Sequence, residues 1–174
     1  MGMDVMGNEP KSEVGKYFRN NVWYWRPLWN YCCEVAPDII GEELADIGHF
    51  NDGAGLDAAQ AEQLGNRLIA EFVSGQTEEA KRKYDLEISE IPLVDCTYCE
   101  TTGIRTDGVG ESMGMPTKEL SEDKAIILGR THGTCNACDG LGKREHYATS
   151  YPFDVDNVVE FARFCIDSGG FAIY

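Results

Sequence analysis

No stretch of this 174-residue sequence is both long and apolar enough to cross a bilayer, which takes about 20 consecutive apolar residues in a helix. The first ten residues, Met1 to Pro10, have neither the basic nor the apolar region of a secretory signal. The sequence therefore predicts a protein that is neither membrane-inserted nor secreted. Basic residues are also scarce. Lys and Arg total 15 against 30 Asp and Glu, a formal net charge of −15. Such a chain repels a phosphate backbone unless its few cations gather on one face, so direct nucleic-acid binding starts disfavoured. From Asp38 to Glu62 the chain carries Glu42, Glu43, Asp46, Asp52 and Asp57 and no Lys or Arg. That acidic face suits a basic partner, imitates nucleic acid toward a protein that binds it, or serves as plain solvated surface. Disorder of the whole chain is excluded by a hydrophobic share of 43% and an aromatic share of 10%.

Other absences narrow the chemistry. Gly108-Val109-Gly110 lacks the strand and helix context of a phosphate loop. The loop His49 to Asp57 lacks the regular oxygen positions and terminal glutamate of a calcium-binding EF-hand. Neither C-x-x-C pair sits in the βαβ context of a redox-active dithiol. The cysteine count is 7, an odd number, which with the paired spacing favours metal over disulfides and a reducing cytoplasm.

What is present is read first as secondary structure. Met1 to Pro10, rich in Gly and Met, reads as an irregular leading segment. Tyr17 to Tyr31 holds Tyr17, Phe18, Trp23, Tyr24, Trp25, Trp29 and Tyr31, an aromatic concentration that predicts core. Pro27 suits a first helical turn, so a helix is expected over Pro27 to Val35, ended by Ala36-Pro37. Asp57 with Gln60 makes a capping box for a helix from Ala58 to about Val73. Thr77 caps a charged helix from Glu78 to about Ile88, and Pro92 ends the helical part. Near the end, Asp154 or Asp156 caps a helix bearing Val155, Val158, Val159, Ala162, Cys165 and Ile166, and Phe171 to Tyr174 reads as a strand.

The strongest chemical signal is Cys96-Thr97-Tyr98-Cys99 paired with Cys135-Asn136-Ala137-Cys138. Two C-x-x-C pairs supply the four sulfurs of a closed, structural zinc site. Gly103 follows the first pair and Gly140 and Gly142 the second, letting the backbone turn tightly and aim its N–H groups at sulfur. One structural Zn2+ on Cys96, Cys99, Cys135 and Cys138 is the expectation, with a disulfide framework as the other reading. His132 is a bystander, and Cys32, Cys33 and Cys165 act as small buried hydrophobes. Between the pairs, Lys124 to Leu128 reads as a hairpin strand.

Cys135-Asn136-Ala137-Cys138-Asp139-Gly140-Leu141-Gly142 resembles the C-x-x-C-x-G-x-G zinc finger of J-domain co-chaperones, position for position. Cys96 to Gly103 departs from it with Thr101 at the first glycine, and no His-Pro-Asp signature of a J-domain is present. The resemblance implies the zinc fold and a surface for protein contacts, not co-chaperone activity. A second resemblance, to a family of small bacteriophage and prophage proteins of unassigned function, rests on several stretches. They are Met3-Asp4-Val5 with Gly7, Tyr17 to Trp23, Arg26-Pro27-Leu28, Asn51-Asp52-Gly53 to Gly55-Leu56-Asp57, and Ser168-Gly169-Gly170-Phe171. It implies a phage-encoded protein in a host cytoplasm and brings no mechanism.

The reading is an α+β chain, helices packed on short strands, forming a single domain over residues 1–174 with a zinc-ribbon-like subdomain at residues 94–144. The expected function is a zinc-stabilised protein-interaction factor that binds a host or phage protein, inhibition through the acidic surface being one form of it. Two alternatives stand beside it. One is an enzyme with His49 as base and Asp52 as its orienting partner, although turn formation and capping account for Asn51, Asp52 and Asp57 without chemistry. The other is a nucleic-acid-binding ribbon that gathers Arg105, Arg130, Lys143 and Arg144 on one face.

Overall fold

The computed structural model describes residues 2–174. In chain order its elements are β1 (Gly2–Gly7), β2 (Tyr17–Asn21), α1 (Val22–Val35), α2 (Pro37–Ile47), β3 (Gly55–Leu56), α3 (Ala58–Val73), α4 (Gln76–Glu90), β4 (Val94–Asp95), α5 (Gly108–Ser112), α6 (Glu122–Leu128), β5 (Lys143–Arg144), α7 (Val155–Asp167) and β6 (Phe171–Ile173). The fold is mixed α and β with small antiparallel sheets, the class the sequence suggested. The chain divides into two compact units: the part up to Ser89 together with Ser150–Tyr174, and Glu90–Thr149. No helix among the described residues is long and apolar enough to cross a membrane.

The larger unit is built on a four-stranded antiparallel sheet in the order β2-β1-β6-β3. Side chains alternate across each strand, so Met3 and Val5 of β1, Phe18 of β2, and Phe171 and Ile173 of β6 all enter the core. Against that face lie Trp25 and Trp29 of α1, Leu64 and Leu68 of α3, and Val158, Phe161 and Phe164 of α7. From Gly2 onward the start of the chain is thus no irregular leader: Gly2–Gly7 supplies a central strand. Its pairing partner β6 lies at the other end of the sequence, at Val5↔Ile173 and Gly7↔Phe171, which no local pattern reveals.

Helix α1 starts five residues before the expected Pro27. Asn21 caps it, its side chain accepting from the Trp23 and Tyr24 amides at 3.0 and 3.1 Å. Pro27 therefore sits inside the helix, where it forgoes one backbone bond near the first turn. Ala36 does end α1, but Pro37 then opens α2, a helix not anticipated from sequence. The last carbonyls of α2 are held by α1: the indoles of Trp25 and Trp29 donate to Gly48 O at 2.9 Å and Ala45 O at 3.1 Å. Gly48 is required there, since a Cβ would fall 2.4 Å from the Trp29 ring.

The capping box at Asp57 and Gln60 forms as the spacing indicated, and of the two candidates Asp154 and Asp156 it is Asp154 that caps α7. Helix α4 begins at Gln76 rather than Glu78, because Thr77 is buried in its first turn and shares a 3.0 Å hydrogen bond with the Tyr31 hydroxyl instead of capping.

In the smaller unit, β4 and β5 pair antiparallel, and α5, a 3-10 turn at Met115–Thr117 and α6 fill the stretch between the cysteine pairs. The expected hairpin strand at Lys124 to Leu128 is helix α6. Glu122 and Asp123 favour a helix start, Gly129 takes the left-handed conformation that ends it, and no neighbouring strand covers Ile126 or Ile127, which are 75% and 73% exposed.

Candidate metal centre

The two C-x-x-C turns follow the same backbone path. Displaced by 39 residues, Glu100 matches Asp139 at φ 48° and 53°, Thr101 matches Gly140 at 67° and 87°, and Gly103 matches Gly142 at 74° and 76°. The turn bonds repeat as well. The amides of Thr101 and Gly140 donate to the carbonyls of Cys96 and Cys135 at 3.1 and 3.2 Å, and those of Thr102 and Leu141 donate to Cys99 and Cys138 at 2.9 Å. Even the close approaches are reciprocal: a Cβ on Gly103 would sit 2.1 Å from Gly140 O, and one on Gly142 would sit 2.2 Å from Thr101 O. The halves form a pseudo-twofold pair whose tight crossing only glycine permits.

That arrangement brings Cys96, Cys99, Cys135 and Cys138 together, all buried, with their sulfurs within 4.8 Å of one another. Cys96 Sγ lies 3.9 Å from Cys135 Sγ, and Cys99 Sγ lies 3.6 Å from Cys138 Sγ. A disulfide would need about 2.05 Å. Four thiolates held tetrahedrally at about 2.3 Å from an ion would instead stand about 3.8 Å apart, so the donor set fits a metal ion in number, element and spacing. A fully ligated ion of this kind has no open position for water or substrate.

The surroundings bias the thiols in different directions, and burial raises Cys135 as it raises Cys99. The Gly142 amide donates to Cys138 Sγ at 3.3 Å. Burial raises the Cys96 thiol, but hydrogen bonds from Cys99 and the Tyr98 and Cys99 amides outweigh it and bring Cys96 below the ordinary thiol range. Cys99 is pushed up to about 12, first by burial and then by its sulfur neighbours. The first thiolate therefore forms readily, and the later ones need the ion's positive charge. By contrast Cys32 and Cys165 are raised well above the usual range by burial, and Cys33 to about 11, which keeps them as inert thiols.

Two arginines lock the turns. Arg130 donates from Nη2 to Gly103 O and Gly140 O, both at 3.0 Å, and from Nε to Gly133 O at 3.1 Å, tying one turn to its counterpart. Arg105 forms a bidentate pair with Asp107 at 2.8 and 3.0 Å, donates to Asn136 Oδ1 at 3.0 Å, and lies 4.9 Å over the Tyr98 ring. It thereby links residues of both C-x-x-C turns. Sequence reasoning assigned these arginines to a surface and missed their internal role, because an arginine that serves backbone carbonyls leaves no spacing signature.

Thr101 is the flaw in the symmetry. A side-chain residue in the left-handed region costs about 1–2 kcal/mol, and glycine's extra chain entropy recovers roughly half of that for the unfolded state. Thr101→Gly should therefore stabilise the metal-loaded unit by about 0.5–1 kcal/mol, and Gly140→Thr should destabilise it. Slower and faster loss of metal to a chelator would report the two effects.

His132 lies outside the cluster, its Nδ1 3.0 Å from the Thr131 hydroxyl. His49 and Asp52 are not brought together at one cavity. Asp52 accepts from the Ala54 amide at 3.2 Å in a turn, whereas the cavity at His49 is lined by Arg26, Asn30, Asp46 and Phe50. The chain matches no family model, no curated protein and no solved structure.

Proposed function

We propose that the chain is a zinc-stabilised, phage-encoded protein-interaction factor that docks on a basic surface of a host protein and blocks it. Zinc is the ion best suited to four buried sulfurs in a closed site with no oxygen or nitrogen ligand. A closed site stabilises and does not catalyse, which leaves function to the surface.

The observation that carries the interaction reading is the distribution of charge. The unit containing β1 and α7 holds twenty acidic and nine basic residues, against ten and six in Glu90–Thr149. On α2, Glu42 and Glu43 are exposed, and no cation pairs with either among the described residues. Carboxylates left unpaired on one helix raise a negative potential that steers a basic partner. Nucleic-acid binding draws less support, since Arg105 and Arg130 are committed to Asp107 and to backbone carbonyls.

The test is retention of a host protein from lysate on the immobilised chain, with nuclease present, beside Glu42→Lys/Glu43→Lys. A stoichiometric partner that survives nuclease, weakens with salt and is lost with the charge reversal is expected. Retention that is unchanged by the reversal, or retention only through nucleic acid, overturns the reading.

A further inference from the structure

Strand β2 and the first turns of α1 and α7 line a cavity of about 630 Å³. Its most deeply buried polar side chain is Asn20, 8% exposed. Asn20 Nδ2 donates to Asn157 Oδ1 at 2.7 Å, which ties β2 to α7 and uses one donor and one acceptor of the amide pair. The described residues enclose just two unpartnered side-chain polar atoms, His49 Nδ1 and Arg144 Nε. Asn20 Oδ1 and Asn157 Nδ2 are neither enclosed nor bonded among the described residues, so they stay open to the cavity. Two helix caps set the groups beside them. Asn21 Oδ1 is taken up by the Trp23 and Tyr24 amides, which leaves Asn21 Nδ2 as a donor. Asp154 Oδ1 accepts from the Asp156 and Asn157 amides at 2.9 and 3.3 Å, which leaves Asp154 Oδ2 as an acceptor. Hydrogen bonds thus orient four side chains from distant parts of the chain on one cavity, with two donors and two acceptors unused.

The lining narrows the ligand. The volume lies within the roughly 300–1,000 Å³ usual for small-molecule sites, but the lining holds no aliphatic side chain, so an apolar ligand gains little there. Asp154, Asp156 and Glu160 outnumber Arg19, which repels phosphates and carboxylates. These carboxylates do not converge as metal ligands: the four cysteines are the one set of three or more metal-type donors drawn together among the described residues. What fits is a neutral molecule whose groups donate and accept at once, as hydroxyls do. We propose that the cavity binds a single sugar ring of a carbohydrate, its hydroxyls shared among Asn20 Oδ1, Asn157 Nδ2, Asn21 Nδ2 and Asp154 Oδ2. The Tyr24 ring, 36% exposed on the same lining, offers a flat π face to the C–H side of the sugar. The site uses neither Glu42 and Glu43 nor the metal centre, so it does not depend on the docking reading.

The test is a titration of the full, metal-loaded chain with the methyl glycosides of glucose, galactose, mannose and N-acetylglucosamine, followed through the side-chain amide NMR signals of Asn20, Asn21 and Asn157. Glycerol, methylamine and inorganic phosphate are the controls. At least one glycoside should shift these amides saturably, at concentrations where glycerol leaves them unmoved. Asn157→Ala should weaken that glycoside about tenfold, as loss of a well-made hydrogen bond does. Tyr24→Ala should weaken it too, and because Tyr24 is exposed and its amide still meets the Asn21 cap, this variant keeps the test valid if Asn157→Ala disturbs the fold. Unchanged signals from the buried Trp25 and Trp29 indoles certify the fold in each case. Methylamine or phosphate bound more tightly than every glycoside would make the cavity a charge site and overturn the proposal. Shifts proportional to concentration and alike for glycerol and all glycosides would reduce it to solvation and overturn it as well. So would amides unmoved by every glycoside, or an affinity that a folded Tyr24→Ala leaves unchanged.

Discussion

Removing the metal should unfold Glu90–Thr149 while the rest of the chain stays folded. The buried hydrophobic cluster of that unit consists of Cys96, Cys99, Cys135 and Cys138, with the partly buried Ala137 against it. Met115 is the one further buried apolar side chain among its described residues. An ordinary unit of this length would bury many aliphatic and aromatic groups to offset chain entropy. An ion on the four sulfurs would supply what a core does elsewhere, since a thiolate-bound structural zinc contributes on the order of 10 kcal/mol at neutral pH. Without it, four buried thiols crowd around a void. The larger unit has its own core of tryptophans, phenylalanines and aliphatic residues and does not use the ion. Hydrogen exchange after chelation should therefore show protection lost across residues 90–149 and kept in α1, α3 and α7. Far-UV dichroism should change little, since α5 and α6 are the only α-helices wholly in the smaller unit among the described residues. Cys96→Ser should behave like chelation. Acidification should too, because coordination lowers the thiol pKa in the folded state and that stability is lost as pH falls and protons displace the ion. Full protection of 90–149 in metal-free protein would show that the cluster is not what holds the unit.

How legible each part was follows from the range of the interaction that made it. The capping box at Asp57 and the cap at Asp154 are contacts within one helical turn, and both were readable. The four-cysteine cluster was readable because a metal site writes its ligand count and local spacing into the chain even across 39 residues. Strand β1 was not, since Met3 and Val5 become a core face only when Phe18, Phe171 and Ile173 arrive from distant positions. The boundary between α1 and α2 was half readable: Pro37 marks a break but does not say that a second helix follows at once. Isoleucines at 126 and 127 misled because β-branched runs fit strands, yet here local acidic residues and the stop at Gly129 prevail with no sheet to join. The cavity at Asn20 went unseen for the same reason as β1: Asn20 and Asn157 stand 137 residues apart, on β2 and α7, and the bond that joins them is tertiary.

Phe161→Ala should be the most costly single substitution in the larger unit. Phe161 is fully buried on α7 and touches aromatic rings from three other elements. Its ring centre lies 5.1 Å from Phe18 of β2, 5.6 Å from Trp25 of α1 in an edge-to-face contact, and 5.7 Å from Phe171 of β6. Phe164, one turn along α7, stacks at 6.0 Å. Truncation removes the transfer free energy of a benzyl group and leaves a void that four large rings cannot fill without leaving their rotamers. Phenylalanine-to-alanine changes in such cores cost roughly 3–5 kcal/mol, a large part of the 5–15 kcal/mol that holds an ordinary domain together. The denaturant midpoint of this unit should fall accordingly with little change in slope. Phe72→Ala is the control: that ring is 38% exposed near the end of α3, and its loss should cost well under about 1 kcal/mol. Metal content decides between a local and a global effect. Because the ion is held entirely by residues of Glu90–Thr149, Phe161→Ala should keep stoichiometric metal below its unfolding midpoint. Loss of metal in step with loss of the aromatic core would mean that the two units fold as one, and the separate response to chelation would fail with it.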